Sequence, residues 1–127
     1  MSAELPPHVT EIRIYPVKGA PGQVLEDVEV ETEGLAGDRR KKAALHLVSV
    51  EEDVATHPRA NLVVDTPTAL LDASVGQRLR IGEAEIHVTG KPSGCPGVYA
   101  DVVAPGSIRV GDVLLAVGAG ETAAPTS

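Results

Sequence analysis

The chain has 127 residues, enough for one domain with a single hydrophobic core. Its 18 acidic and 11 basic side chains give a net charge of −7, which argues against a nucleic-acid partner, since such proteins carry a basic face. No apolar run approaches the ~20 residues of a membrane helix, so we expect no membrane partner. The single cysteine, Cys95, excludes an intrachain disulfide and favours the reducing environment of the cytoplasm.

The core has to be built from aliphatic side chains, because the chain has no Phe or Trp and only 2 Tyr. Frequent valine, together with 13 Gly and 10 Pro, favours short strands joined by tight turns. Residues 1–7 and 118–127 offer few apolar anchors, and we expect them to be flexible tails. The predicted single domain therefore covers residues 8–117.

In the first half of the chain, alternating apolar and polar residues predict strands at 9–16 and 24–31. Residues 43–50 are predicted as the next strand. Capping-box spacing at residues 49–52 predicts the start of a short helix, which Pro58 would end.

In the second half, residues 61–65 predict a short apolar strand and residues 68–73 a turn of helix. Two hairpins are then predicted, because a glycine and an acidic residue separate alternating strands at 75–89 and again at 108–117. About eight short strands with one or two short helices indicate a mainly β protein, built as a compact, mostly antiparallel β-barrel.

Cys95 lies in the segment GKPSGCPG (90–97). The proline after it favours an extended backbone, and the glycines supply turns, so the segment is suited to presenting a thiol. Lys91 precedes it by four residues, and a nearby cation lowers the pKa of a thiol. Lone cysteines are also common as inert packing residues, so the loop by itself supports both interpretations equally.

Five segments together resemble the MOSC domain, a family named after the C-terminal part of molybdenum-cofactor sulfurases. They are IYPVKGAPG (14–22), GLAGDRR (34–40), RANLVVD (59–65), VGQRLRIGEAEIHVTGKPSGC (75–95) and GSIRVGDVL (106–114). The resemblance implies a β-barrel similar to that of pyruvate kinase. It also implies a role with sulfur or molybdopterin, since family members include sulfur-handling domains and molybdenum enzymes that reduce N-hydroxylated compounds.

The resemblance implies a role for the cysteine as well. In the family, a cysteine after the central hairpin ligates molybdenum or carries a persulfide, and Cys95 occupies that position. Both roles need a soft thiolate. Lys91 stands where relatives carry a basic residue, and there it would stabilise a thiolate or a bound anion.

Further residues match the family's cofactor-binding positions. Lys18, beside Gly19, and Arg39 match its anion-binding positions, where cations and close backbone approach would hold the pterin phosphate. Arg59 and Asn61 match an R-x-N strand, where they would hydrogen-bond the pterin or order the loops around it.

The leading hypothesis is a stand-alone MOSC-type domain of the cytoplasm that binds a molybdenum-pterin cofactor, carries sulfur on Cys95, or does both. Its activity would be that of a molybdenum oxidoreductase or a sulfur transferase, with a sulfur donor, a sulfur acceptor or a redox protein as partner. We expect no pyridoxal phosphate site, because that cofactor belongs to the sulfurase domain fused to some relatives. The alternative is a degenerate, non-catalytic barrel that binds another protein, or a small anion through Lys18 and Arg39.

Overall fold

A computed structural model describes residues 6–39 and 43–117, and within them the chain forms eleven strands and two short helices. The helices are α1 (Val50–Thr56) and α2 (Thr68–Asp72). The strands are β1 (Val9–Ile14), β2 (Gln23–Leu25), β3 (Asp27–Glu31), β4 (Gly34–Leu35), β5 (Leu45–Ser49), β6 (Leu62–Val64), β7 (Arg78–Ile81), β8 (Ala84–Gly90), β9 (Val98–Ala104), β10 (Gly106–Arg109) and β11 (Leu114–Val117).

The strands form two sheets. Eight of them make a strongly curled half-barrel in the order β11-β7-β8-β9-β5-β6-β1-β2, and β10-β3-β4 make a second sheet. Among the named strands only β5 and β6 pair in parallel, because α1 carries the chain back between them as a crossover. The predicted fold class, a mainly β and mostly antiparallel barrel-like domain with short helices, is confirmed.

The concave side of the half-barrel holds the main core, which is aliphatic throughout. Ile12, Leu45, Leu47, Leu62 and Ile86 are fully buried there. Because successive side chains of a strand point to opposite faces, the residues between these lie on the outer face. That outer face carries the polar contacts described below.

Several local predictions are confirmed. β1 occupies most of the strand predicted at 9–16, and β7 and β8 form the predicted hairpin around Gly82. The helix predicted to begin near Ser49 is α1, where the Ser49 hydroxyl accepts a hydrogen bond from the Glu51 amide at 3.1 Å. α1 ends before Pro58, at His57 in the left-handed conformation. α2 corresponds to the predicted turn of helix.

Two strand predictions are wrong because a local pattern does not identify the partner strand. The strand predicted at 24–31 divides at Glu26 into β2, which pairs with β1, and β3, which pairs with β10. The hairpin predicted at 108–117 does not form: β10 joins β3, whereas β11 joins β7 in the other sheet. Its turn is nevertheless real, and the Gly111 amide donates to the carbonyl of Val9 at 2.7 Å.

A central strand was not predicted. β9 lies between β8 and β5 in the larger sheet, in a stretch whose small and acidic residues alternate weakly. The predicted tails lie outside the described residues except for Pro6 and Pro7, and the Pro7 carbonyl accepts a hydrogen bond from Leu114 at 2.9 Å. Neither helix of the described ranges has the length and apolar character needed to cross a bilayer.

Candidate functional site

Two loops meet at Tyr15, just beyond the end of β1. The Asp38 carboxylate accepts a hydrogen bond from the Tyr15 amide at 2.7 Å, and the Arg39 amide donates to the Tyr15 carbonyl at 3.3 Å. The loop after β4 is therefore fastened to the loop after β1. This contact fixes the backbone of Arg39 against Tyr15, which lies in the same loop as Lys18.

Asn61, directly before β6, joins this pair of loops to β5. Its side-chain amide donates to Asp38 at 3.1 Å and to the Arg13 carbonyl at 3.3 Å, while its side-chain oxygen accepts from the His46 amide at 3.0 Å. The residue is buried, with 1% of its surface exposed. Its side chain thus makes hydrogen bonds within the protein that join the two loops to β5, and its part in binding a pterin stays a prediction.

Arg59 holds the loop that carries Lys18. Its guanidinium lies 4.3 Å from the centre of the Tyr15 ring and donates to the Ala20 carbonyl at 3.1 Å. Cation–π stacking on one face and a hydrogen bond to the backbone define its position. Arg59 therefore holds the loop in place through these two contacts, and its side chain remains exposed to solvent.

Lys18, Gly19 and Arg39 form the open part of this region. All three are exposed, and within residues 6–39 and 43–117 neither the Lys18 ammonium nor the Arg39 guanidinium has a side-chain partner. Gly19 has a φ of 78°, and a Cβ added there would meet no atom within 4 Å. Within the described part of the chain, an anion can thus approach the backbone at Gly19 and both cations. Arg40, Lys41 and Lys42 lie outside the described residues.

Cys95 is exposed in the loop before β9. The residue after it, Pro96, is bound to the outer face of the sheet, because its carbonyl lies 2.8 Å from Nε2 of His46. The His46 ring in turn meets Tyr99 edge-on at 5.3 Å between centroids. Since Asn61 binds the backbone of His46, a continuous series of hydrogen bonds links the Cys95 segment to the Tyr15 loops.

No sequence signal marked His46 as part of a site, because it is an isolated histidine among aliphatic residues. Strand pairing alone reveals its place between Asn61 and Pro96. Lys91 is arranged differently from the other predicted residues: its ammonium lies 2.7 Å from the carboxylate of Asp72 in α2. Lys91 is therefore paired with a carboxylate of the protein.

A second polar cluster lies next to the first on the same face. Arg13 is buried, and its guanidinium makes two hydrogen bonds of 2.9 Å to Asp53 in α1 and one of 2.7 Å to Glu11. Burial acts to lower the pKa of Arg13, but the hydrogen bonds that Arg13 donates to Asp53 and Glu11, together with their negative charges, outweigh it, so the pKa is raised above its ordinary value. Arg13 is thus charged at every practical pH, and the cluster is a structural link between β1 and α1.

The described clefts do not surround Cys95. A cleft of about 500 Å³ lies between β2 and β10, and an apolar one of about 160 Å³ lies beside α2. A third, of about 250 Å³, borders the Tyr15 region through Gly37 and Asp38 but is lined otherwise by Glu31, Glu33, Gly34 and Leu35. None of these three clefts is lined by the thiol or by the predicted cations, so the hydrogen-bonded network and not a cleft relates these residues to one another.

No family model and no curated protein matches this chain. Solved structures do match. YuaD from Bacillus subtilis aligns with a TM-score of 0.68 and 16% identity over 85% of this chain and 93% of its own. YiiM from Geobacillus stearothermophilus aligns with a TM-score of 0.65 and 15% identity over 91% of this chain and 77% of its own. YiiM from Escherichia coli aligns with a TM-score of 0.61 and 19% identity over 87% of this chain and 70% of its own.

At these identities the comparison shows the fold alone. YuaD and YiiM are MOSC-domain proteins, and their likeness to this chain agrees with the resemblance carried by its sequence segments. The chain as a whole therefore has a fold of the MOSC type.

Proposed function

We propose that this chain is a MOSC-type domain of molybdenum or sulfur metabolism in which Cys95 is the reacting or ligating group. One observation carries the proposal: a single hydrogen-bonded network connects Tyr15, Asp38, Asn61, His46 and Pro96. The network has an exposed thiol next to one end and, next to the other, two exposed cations that lack a side-chain partner among the described residues. Sulfur transfer and pterin phosphate binding both need a soft nucleophile and an anion-binding loop, and here the same hydrogen-bonded network reaches the segments that carry them.

As a sulfur carrier, the domain would use the accessibility of Cys95. Its thiolate attacks the outer sulfur of a donor persulfide, a new S–S bond forms on Cys95, and the donor thiolate leaves with the electron pair of the broken S–S bond. No external oxidant is required. The donor and the acceptor would be partner proteins whose own thiols reach this exposed loop.

If the domain binds a cofactor, the same residues would have different roles. The donor set fits a molybdenum-pterin group, since Cys95 offers a soft ligand and Lys18 and Arg39 offer charge for a phosphate. The open backbone at Gly19 permits close approach of that phosphate. When bound, the group would supply two-electron redox chemistry, while Asn61 and Arg59 hold the loops in place.

The deciding experiment uses protein made in a host that synthesises the cofactor. Molybdenum near stoichiometry that is lost in Cys95→Ser supports the cofactor function. A mass increase of one sulfur atom on Cys95, removed by a thiol reductant and observed without metal, supports the carrier function. A well-folded protein with neither molybdenum nor persulfide would contradict both.

A second candidate is an anion-binding module that does not use the cysteine. Lys18 and Arg39 favour it, because neither has a side-chain partner in the part of the chain that the structure describes, and a small anion would supply one. Such a module would be stabilised by phosphate through mass action, and Cys95→Ser would keep the full phosphate-dependent rise in Tm.

A further inference from the structure

His46 takes part in two sets of contacts that no other described residue connects. Its backbone is bound on both sides by Asn61, whose amide donates to the His46 carbonyl at 2.8 Å and whose side-chain oxygen accepts from the His46 amide at 3.0 Å. Its ring reaches in another direction, to the Pro96 carbonyl at 2.8 Å. His46 thereby contacts both Asn61, which holds the two loops together, and the segment that carries Cys95.

The ring is held in a defined orientation. Nε2 must carry the proton in this contact, because the Pro96 carbonyl can only accept a hydrogen bond. Only 9% of His46 is exposed, and the edge of its ring packs against Tyr99 with an interplanar angle of 73°. Packing against Tyr99, in addition to the hydrogen bond itself, therefore keeps Nε2 of His46 directed at the Pro96 carbonyl.

Gly97 shows how closely the segment is pressed against His46. Its φ is 98°, and a Cβ at this position would collide with the Leu47 carbonyl and lie 2.9 Å from Nε2 of His46. Only glycine permits this approach. The chain that follows Cys95 is thus docked onto β5 at a fixed point.

From these contacts we infer that His46 is a positioning residue, which sets the place of the Cys95 thiol relative to Lys18 and Arg39. The inference rests on the proposed function in one respect, that the thiol and the two cations serve the same ligand. It adds the class of that ligand, an anionic sulfur compound. The thiol of the intact protein should then react faster with an anionic disulfide than with a neutral one.

The experiment compares two small aryl disulfides, the dianionic dithiobis(nitrobenzoate) and the neutral dipyridyl disulfide. In each reaction the Cys95 thiolate attacks one sulfur, a mixed disulfide forms, and the aryl thiolate leaves with the electron pair of the broken S–S bond. The measured quantity is the ratio of the two second-order rate constants at low salt. Taking the ratio removes the effect of a general change in thiol exposure.

His46→Gln keeps a donor that can reach Pro96, whereas His46→Asn is shorter and His46→Leu has none. We expect His46→Asn and His46→Leu to lower the anionic preference by about threefold to tenfold, the range for one hydrogen bond, and His46→Gln to retain it. His87→Leu, a half-buried histidine of β8, is the matched control and should leave the ratio unchanged. If His46→Leu does not fold, the Gln and Asn variants decide.

A wild-type ratio in folded His46→Asn would overturn the inference, and so would a wild-type protein with no preference for the anionic disulfide. These outcomes are distinct from failure of the proposed function. A protein that binds neither molybdenum nor persulfide but shows the His46 effect would lose its proposed function and keep the positioning role. A persulfide carrier with no His46 effect would lose only the positioning role.

Discussion

Two polar clusters lie side by side on the outer face of the half-barrel, one around Arg13 and one around Asn61. They are in contact, since the Arg13 amide donates to the Asn61 carbonyl at 2.7 Å and the Asn61 side chain donates back to the Arg13 carbonyl. In the first cluster, a cation is enclosed by the carboxylates of Asp53 and Glu11. In the second, the buried groups satisfy one another but leave cations and a thiol exposed around them.

The difference separates structure from function among similar side chains. A guanidinium that is buried and paired, as in Arg13, contributes to stability and has no capacity left for a ligand. A guanidinium or ammonium that is exposed and has no side-chain partner among residues 6–39 and 43–117, as in Arg39 and Lys18, contributes little to stability and can bind an anion. Variants in the first cluster should therefore change stability alone, and those near the second should change reactivity.

The largest effect is expected from Arg13→Leu. Removing the cation leaves the buried Asp53 carboxylate without its partner, and such a change typically costs about 3–5 kcal/mol of unfolding free energy. Urea unfolding would measure it, and adding Asp53→Leu should recover part of the loss. The ratio of anionic to neutral disulfide rates should stay at the wild-type value. A loss below about 1 kcal/mol would show that the cluster is not the structural link described above.

A smaller loss of stability, together with a change in reactivity, is expected from Asn61→Leu. The substitution leaves the His46 amide without its side-chain acceptor and removes the donor to Asp38 Oδ2, while the bond from the Tyr15 amide to Asp38 remains; we expect a cost of about 2–3 kcal/mol. It should also lower the anionic preference of Cys95, because the loops lose their brace. Thr10→Val, which removes one part-buried hydrogen bond to β6, is the control and should cost about 1 kcal/mol without changing reactivity. An unchanged ratio of disulfide rates in Asn61→Leu would show that Asn61 does not couple the Tyr15 loops to the Cys95 segment.

The smallest effects on stability are expected from substitutions of two exposed lysines, Lys18 and Lys91, which should differ in their response to phosphate. Lys18→Ala should change the unfolding free energy by less than about 0.5 kcal/mol, because the side chain is exposed and unpaired. It should abolish the rise in Tm that phosphate produces. Lys91→Ala removes the exposed pair with Asp72, at about 0.2–1 kcal/mol, and should keep the phosphate response. Equal phosphate responses in both variants would place the anion away from Lys18.

The sequence predicted individual elements well where their signals are local. The alternation in β1, the serine cap of α1 and the glycine turn between β7 and β8 depend on neighbouring residues only. It failed where the signal needs a distant partner, as at Gly111, whose turn leads from one sheet into the other. β9 was missed because its place between β8 and β5, and not its weak alternation, makes it a strand.

The candidate site divides in the same way. The resemblance to the MOSC family selected Lys18, Arg39, Arg59, Asn61 and Cys95 by residue type and order, and these assignments remain predictions. The structure adds partners for some of them: Arg59 stacks on Tyr15, and the side chain of Asn61 is enclosed by hydrogen bonds. It also adds His46, which no spacing rule identifies, because its role arises from the pairing of β5 with β6 and β9.

The sequence by itself determined that this chain is an aliphatic, mainly β domain with one cysteine in a glycine- and proline-rich loop. Composition and short-range alternation suffice for that, since they act within a few residues. Only the tertiary structure decided which cations are neutralised and which remain unpaired. Lys91 and Lys18 look alike in sequence, but one meets a carboxylate of α2 and the other meets none among the described residues. Whether a charge is paired depends on elements that folding brings together. No local sequence pattern gives the distance between a charged side chain and a group on another element.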